Sequence, residues 1–144
     1  MKCKIVIDPT CEEQVVVTAR KRSKLVCEIE QLVENNAQYL KGYADDEIKR
    51  FSLDQVQCFF IENGKVFALL SKEKLQLKSR LFEIEPLLNE SFVKINQSCI
   101  ANVKHVKKFR ASFNGSVMVV FSNGHFDYIA RRELKKVKEK FGGF

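Results

Sequence analysis

The sequence predicts a mainly β protein with peripheral helices, an α+β fold built from antiparallel sheets. Short runs rich in β-branched and aromatic residues alternate with turn signals along most of the chain. The dipeptide Asn-Gly occurs three times between apolar runs, at 63–64, 114–115 and 123–124, and it supplies the positive φ angles of tight hairpin turns. The length of 144 residues suits one compact domain. These observations favour a β-meander over an α/β wound sheet.

Residues 1–38 are predicted to form a small strand-strand-helix unit. Residues 3–7 alternate weakly and residues 13–19 are rich in β-branched side chains, so both segments are expected to be strands. Ser23 is a candidate cap for a helix that ends near Asn35 and Asn36. The apolar residues of this helix share one face: Leu25, Val26, Ile29, Leu32 and Val33. Charge is balanced here, and we interpret the unit as a scaffold or contact surface.

Residues 39–144 are predicted to form the main β domain, interrupted by two helices. The first is expected at 79–88, where Pro86 should shorten or kink it because proline cannot donate a helical hydrogen bond. The second is expected at 131–141, with its apolar residues at helical spacing and its lysines toward solvent. Gly142 then ends it.

The net charge of +7 is concentrated near the carboxyl end of the sequence. Residues 91–144 carry eleven basic and three acidic side chains, whereas residues 41–90 carry eight and nine. Such a local excess favours a polyanionic partner, either nucleic acid or an acidic membrane surface. The apolar runs are too short to span a bilayer, and the first residues lack the apolar region of a signal peptide. We therefore expect a cytoplasmic protein with reduced cysteines.

The sequence offers little for catalysis. The two histidines, His105 and His125, do not stand at metal-ligand spacing, and the five cysteines include no Cys-x-x-Cys pair. No nucleophile elbow, phosphate-binding loop or dinucleotide fingerprint is present. We expect a protein that is not an enzyme and that needs no cofactor or metal.

Candidate contact residues occur in the last third of the chain. Asn96, Gln97 and Ser98 separate two apolar runs, so we expect an exposed connection whose amides and hydroxyl contact base edges or phosphates. Arg131 and Arg132 stand at a strand-to-helix junction, where guanidinium groups and a helix N-terminus can face a phosphate. For any single basic group, an ordinary lysine-rich surface remains the alternative.

Four stretches together resemble a LytTR DNA-binding domain, the output module of many bacterial transcription regulators. They are DQVQCFFIE at 54–62, LFEIEPLL at 81–88, FVKINQSCIANV at 92–103 and GHFDYIARR at 124–132. Their order and separation extend the resemblance over residues 39–142, about 70% of the chain. The resemblance implies an elongated antiparallel β fold that inserts loops into successive major grooves, unlike a helix-turn-helix, which uses a recognition helix.

The resemblance also implies positions for DNA contacts. The loop 96–98 and the junction 131–132 would contact bases and phosphates, and the hairpin containing Lys65 would be a third contact region. Four further residues would be flanking phosphate or structural positions: Lys94, Asn102, Lys135 and Lys136. For Asn102 the structural alternative is that its side chain fixes the turn after the loop. Asn96 and Ala130 stand where the family often has His and Ser, so the target sequence can differ from that of better-known relatives.

We therefore expect a bacterial transcription regulator that binds duplex DNA sequence-specifically. A homodimer on repeated half-sites is expected because one small domain contacts too few base pairs to select a genomic site. Residues 1–38 are the candidate dimer or regulator contact, and the resemblance implies an inhibitory membrane protein partner. The alternative is an RNA-binding or protein-interaction module on the same basic face, with Phe109, Phe113 and Tyr128 available for stacking.

Overall fold

The computed structural model describes residues 1–34 and 39–143. The chain divides into two compact units, residues 1–37 and residues 38–144. In the first unit, helix α1 spans Lys24–Glu34. The Ser23 hydroxyl accepts a hydrogen bond from the Val26 amide at 3.3 Å, which confirms the expected cap. The expected end of the helix at Asn35 and Asn36 lies outside the described residues.

The two strands expected in the first unit are absent. Residues 3–7 and 13–19 have no regular secondary structure, and residues 1–34 contain no strand. No backbone hydrogen bond joins residues 13–19 to any other part of the described chain. A β-branched run forms a strand only when its backbone is paired and one face is covered. The prediction failed because sequence propensity does not supply the pairing partner.

The second unit contains two antiparallel sheets, as the predicted fold class requires. The larger sheet has seven strands: β1 (Tyr39–Ala44), β2 (Glu47–Ser52), β3 (Cys58–Glu62), β4 (Lys65–Leu69), β5 (Lys74–Leu77), β6 (Phe92–Asn96) and β7 (Cys99–Asn102). The smaller sheet has three: β8 (Val106–Ala111), β9 (Val117–Phe121) and β10 (Phe126–Ile129). Their orders are β2-β1-β5-β4-β3-β7-β6 and β10-β9-β8. The unit is therefore mainly β and antiparallel.

The larger sheet departs from a simple meander at two pairings. Strand β1 lies beside β5, with Tyr43 opposite Gln76, and β3 lies beside β7, with Phe59 opposite Ile100. Turn residues report only on strands that follow one another in the chain, so these two pairings were not predicted. The three Asn-Gly turns do join consecutive strands, and Gly64 in the first has a φ of 74°.

Two helices accompany these sheets. Helix α2 covers only Leu81–Ile84 and continues as a 3-10 turn over Glu85–Leu87, so the expected shortening near Pro86 is confirmed. Helix α3 covers Arg131–Lys140 and buries Val137. Its apolar face packs toward the core and its lysines are on the other faces, as the spacing predicts.

The core of the second unit has two clusters, one on each face of β3. Phe59 belongs to the first cluster and packs on Phe92, with ring centroids 5.6 Å apart. Cys58 and Phe60 belong to the second cluster, together with residues of the smaller sheet and Val137 of α3. Side chains alternate between the two faces of a strand, so β3 is buried on both sides. The second cluster fixes α3 and the smaller sheet against the larger one.

Gly42 allows the close approach of β1 to β5. A Cβ atom at position 42 would lie 2.4 Å from the Leu75 Cβ and 3.2 Å from the Phe51 ring. We expect Gly42→Ala to lower the free energy of unfolding by about 1–3 kcal/mol, because neither neighbour can move without disturbing the core. Urea denaturation measures this loss. Lys41→Ala, at the exposed neighbouring position, should leave the midpoint unchanged, and an equal effect of both substitutions would contradict the steric explanation.

Candidate nucleic-acid interface

The loop between β6 and β7 presents two exposed polar side chains. Gln97 and Ser98 are exposed, whereas Asn96 is half-buried. The Asn96 Oδ1 accepts a hydrogen bond from the Ser98 amide at 2.7 Å, and this local bond is typical of Asn in a tight turn. The strand register shifts between Lys94 and Asn96, so the loop begins at an irregularity of the sheet.

The same loop is hydrogen-bonded to the junction between β10 and α3. The Asn96 Nδ2 donates to the Tyr128 carbonyl at 2.7 Å and to the Asp127 Oδ1 at 3.1 Å. The Ala130 amide donates to the Ile95 carbonyl at 2.8 Å. These bonds bring the predicted loop 96–98 next to the predicted Arg131–Arg132 pair. The sequence placed Asn96 among the DNA contacts, but its amide group already has three partners within the fold.

The hairpin between β3 and β4 meets the loop from the other side. The Ile61 amide donates to the Ser98 carbonyl at 2.9 Å. Glu62 then pairs with Lys65 across the turn, and the Lys74 ammonium lies 2.9 Å from the Glu62 carboxylate. The three regions that the resemblance implies as contacts are therefore joined in one part of the structure.

Helix α3 places four basic side chains on its exposed surface. Arg131 and Arg132 lie in its first turn and Lys135 and Lys136 in its second, and all four are exposed. The residue before the helix is Ala130, whose side chain cannot cap the first amide groups. The helix N-terminus therefore adds unpaired N–H donors and a partial positive charge beside the two arginines.

The candidate contact cations are not neutralised by carboxylates of the described chain. No ion pair within residues 1–34 and 39–143 involves any of these six: Lys65, Lys94, Arg131, Arg132, Lys135 and Lys136. Lys104, which is not one of these six, forms an ion pair with Asp54 at 3.8 Å. These six cations are thus available to an external anion.

Asn102 lies inside the fold. Its side chain is 1% exposed; its Nδ2 donates to the Val56 carbonyl at 2.9 Å and its Oδ1 accepts from the Lys104 amide at 3.1 Å. A group buried in this way cannot reach a phosphate. The structural alternative therefore applies to Asn102, and we remove it from the proposed DNA contacts.

A buried polar network near this turn was not predicted from the sequence. Gln57 is 3% exposed, and its Nε2 lies 3.3 Å from the His105 Nδ1. The His105 Nε2 lies 2.6 Å from the Asp54 carbonyl, and the Ser122 hydroxyl lies 3.2 Å from the Gln57 Oε1. Gln57 carries no local signal in the sequence, because its side-chain partners His105 and Ser122 are distant in the chain.

Two thiols lie beneath the loop, close to His125. The Cys99 thiol and the His125 ring hydrogen-bond to Cys58 and lower the pKa of Cys58 to about 7, against the opposing effect of burial. The same bond and burial raise the pKa of Cys99. His125 is half-buried, with its ring centroid 5.4 Å from that of Phe60 and 5.8 Å from that of Phe121. Cys58 and Cys99 belong to the second core cluster, and Cys99 directly follows the loop.

The described residues contain neither a metal-binding group nor a membrane-spanning helix. No three His, Cys, Asp or Glu side chains within residues 1–34 and 39–143 are arranged to hold a metal ion. None of the helices in these residues has the length and apolar character needed to cross a bilayer.

Together, the β-rich fold and the grouped cations define a nucleic-acid-binding module. The model of the LytTr DNA-binding domain family matches residues 46–142, and the chain belongs to this family. Two proteins of Staphylococcus aureus, from strains NCTC 8325 and COL, are each 36% identical over 101 residues, which cover 70% of this chain and 69% of theirs. Both are described as uncharacterized HTH-type transcriptional regulators.

A solved structure has the same fold. The LytTr DNA-binding domain of a Bacillus cereus protein superimposes with a TM-score of 0.67 at 19% identity, over 72% of this chain and 96% of that one. The expected fold class is confirmed. The family and the relatives show that this chain is a DNA-binding regulator and not an enzyme.

The Asn96 hydrogen bonds should contribute to stability. We expect Asn96→Ala to lower the free energy of unfolding by about 1–2 kcal/mol, because the half-buried Asp127 carboxylate and the Tyr128 carbonyl each lose the hydrogen bond from the Asn96 Nδ2. Thermal and urea denaturation measure the loss. Gln97→Ala, in the exposed neighbouring position, is the matched control and should change stability by less than about 0.5 kcal/mol. Equal stability of both variants would show that the Asn96 hydrogen bonds do not contribute to the free energy of unfolding.

Proposed function

We propose that the chain is a bacterial cytoplasmic transcription regulator that binds duplex DNA sequence-specifically through loops in the major groove, as a homodimer on repeated half-sites. The observation that carries this proposal is the hydrogen-bonded grouping of the loop 96–98, the Arg131–Arg132 junction and the hairpin at 63–65. Three contact regions held in one place can be presented to DNA together, whereas separate regions would have to be ordered on binding.

We assign the contacts by exposure and chemistry. Gln97 and Ser98 are exposed at the tip of the loop and would contact base edges. Arg131 and Arg132, with the N-terminus of α3, would hold phosphates. The remaining exposed or half-buried cations would flank them on the phosphate backbone: Lys65, Lys94, Lys135 and Lys136. Asn96 acts indirectly in this proposal, by positioning Gln97 and Ser98.

The helices of this unit favour base contacts through loops and not through a recognition helix. Helix α2 has four residues, which is about one turn and too short to serve as a recognition helix. Helix α3 packs Val137 into the core, and its free end is the N-terminal one beside the loop. The chain would therefore approach DNA with the loop and the end of α3, and not with a helix laid along the groove.

We assign residues 1–38 to contacts with other proteins. Their segment at 13–19 and helix α1 expose apolar side chains, which favours a contact surface. A dimer would double the number of base pairs contacted. An inhibitory membrane protein, which the family resemblance implies, would compete for or bind beside this surface.

Arg132 should contribute to specific binding. We expect Arg132→Ala to weaken binding to a specific duplex by roughly 1–3 kcal/mol, because a phosphate or base loses its guanidinium partner. The duplex is first obtained by selecting bound fragments from a random pool, and fluorescence anisotropy of the full chain then gives the affinities at several salt concentrations.

Lys140→Ala is the matched control, since Lys140 is also exposed on α3 but lies at its far end. Its loss should be much smaller than that of Arg132→Ala. Equal losses for the two variants would indicate diffuse attraction to polyanions and would contradict a defined contact site.

The outer face of the smaller sheet supports a second candidate, binding of single-stranded RNA. Phe126 and Tyr128 are more than half exposed and lie two residues apart on β10, so both face the same side. Lys108 and Arg110 lie across the sheet from them, opposite Val120 and Met118 of β9. Aromatic side chains on a sheet can stack bases. Phe109 does not fit this role, because it is half-buried and packs edge-on against Phe141.

Competition between nucleic acids separates the two candidates. We expect duplex DNA of the selected sequence to displace labelled duplex at a concentration at least about tenfold lower than single-stranded RNA of equal length, because specific contacts add to phosphate attraction. Phe126→Ala should leave duplex affinity unchanged. Stronger competition by the single strand, together with a loss on Phe126→Ala, would favour the RNA-binding function.

A further inference from the structure

The first unit exposes an unusual amount of apolar surface. Of eighteen large apolar side chains that are exposed in the described residues, ten lie within residues 1–34. They are Met1, Ile5, Val6, Ile7, Val15, Val16, Val17, Leu25, Leu32 and Val33. Folded units below about 40 residues rarely bury enough surface to be stable alone and usually need an external constraint such as oligomerisation. Exposed apolar patches of this kind mark surfaces that another chain covers.

The segment 13–19 has the arrangement of a strand without a strand partner. Val15 and Val17 line a groove of about 280 Å³ with Val26, Ile29 and Val33 of α1. Val16, between them, does not line this groove and is 75% exposed. Alternation of this kind is the strand periodicity of two. One face of the segment thus shares a groove with α1, but its backbone groups are unpaired within the described chain.

The charged residues on either side of the segment favour pairing with an antiparallel copy of the same segment. Glu12 and Glu13 precede the three valines, and Arg20 and Lys21 follow them. An antiparallel pairing of the segment with itself about Val16 places Glu12 opposite Arg20 of the other copy, twice. A parallel pairing in register would instead place like charges side by side, which destabilises a sheet. The segment is therefore complementary to its own antiparallel copy.

We propose that residues 13–19 pair with the same segment of a second copy of this chain, as antiparallel β-strands related by a two-fold axis at Val16. In this register Val15 lies opposite Val17 of the other copy, and Gln14 lies opposite Thr18. Helix α1 lines a groove on one face of each strand, and its apolar side chains are available for the packing that an isolated two-stranded ribbon lacks. The inference rests on the proposed function for the homodimer itself and adds the surface and register that join the two copies.

Cysteine crosslinking tests the register. The full-length chain carrying Cys3→Ser, Cys11→Ser and Cys27→Ser removes the exposed thiols, and single cysteines are then introduced and oxidised with glutathione disulfide. Val16→Cys should give a covalent dimer, because directly opposite Cα atoms in antiparallel strands are about 4.5–5.5 Å apart and disulfides span about 4.4–6.8 Å. Val16 is exposed, so this substitution leaves folding intact.

Position 14 provides the matched control. Two copies of residue 14 would be offset by four residues, about 13 Å along the ribbon, so Gln14→Cys alone should not crosslink. The double variant Gln14→Cys/Thr18→Cys should crosslink, because these positions are opposite each other. Efficient crosslinking of Gln14→Cys alone, or a dimer in sedimentation that Val16→Cys fails to trap, would overturn the pairing and favour another contact.

Charge reversal tests the complementarity independently. Glu12→Arg and Arg20→Glu should each weaken the dimer about five- to tenfold, because each places like charges opposite each other at two positions. The double variant should restore the original dissociation constant, measured by analytical ultracentrifugation of the full chain without DNA. Lys4→Glu, outside the ribbon, is the control. Failure of the double variant to recover would contradict the antiparallel register.

The two proposals can fail separately. A crosslinked dimer that does not bind duplex DNA would overturn the proposed function and leave the pairing intact. A chain that binds specific duplex but remains monomeric, or that dimerises only when a lysate protein is added, would overturn the pairing. Dimerisation that requires a lysate protein would instead favour the apolar segment as the contact for a regulator.

Discussion

The hydrogen bonds between the end of β6 and the end of β10 are the constraint on which the rest of the site depends. The Ala130 amide binds the Ile95 carbonyl at 2.8 Å, and the Asn96 amide group binds the Tyr128 carbonyl at 2.7 Å. Apolar packing between the two sheets is non-directional and would tolerate some sliding. Hydrogen bonds of defined geometry remove that freedom. They fix where α3 begins relative to the loop, and hence where the arginines stand relative to Gln97.

Local features of this chain were predictable because their causes lie within a few residues. The Asn63-Gly64 turn adopts positive φ angles because those two residue types tolerate them, and Pro86 shortens α2 for an equally local reason. The pairings of β1 with β5 and of β3 with β7 have no local cause. They depend on which apolar side chains pack together, as where Gly42 lets Leu75 approach β1. A single sequence has no local pattern that identifies such long-range contacts.

The candidate site also combines residues whose role the sequence predicts with residues whose role depends on distant contacts. Exposure and charge were predictable for Gln97, Arg131 and Arg132, since a polar break or a basic pair in an amphipathic helix rarely faces a core. The roles of Asn96 and Asn102 were not predictable from residue type. An Asn amide can bind a base edge or a backbone carbonyl with the same atoms, and only the position of a partner from a distant strand decides between them.

For the segment at 13–19, the proposed long-range partner lies on a second chain. Its valines predict a strand that the described chain does not form, although Val15 and Val17 line the groove of α1 and Val16 does not, which matches the strand period. Within residues 1–34 and 39–143 the segment has no backbone partner, and a strand is defined by its ladder and not by its composition. In the proposed pairing, a second copy would supply a ladder with complementary charges at both ends. Such a dimer would provide the hydrogen bonds that the valine-rich segment needs to form the strand that its composition favours.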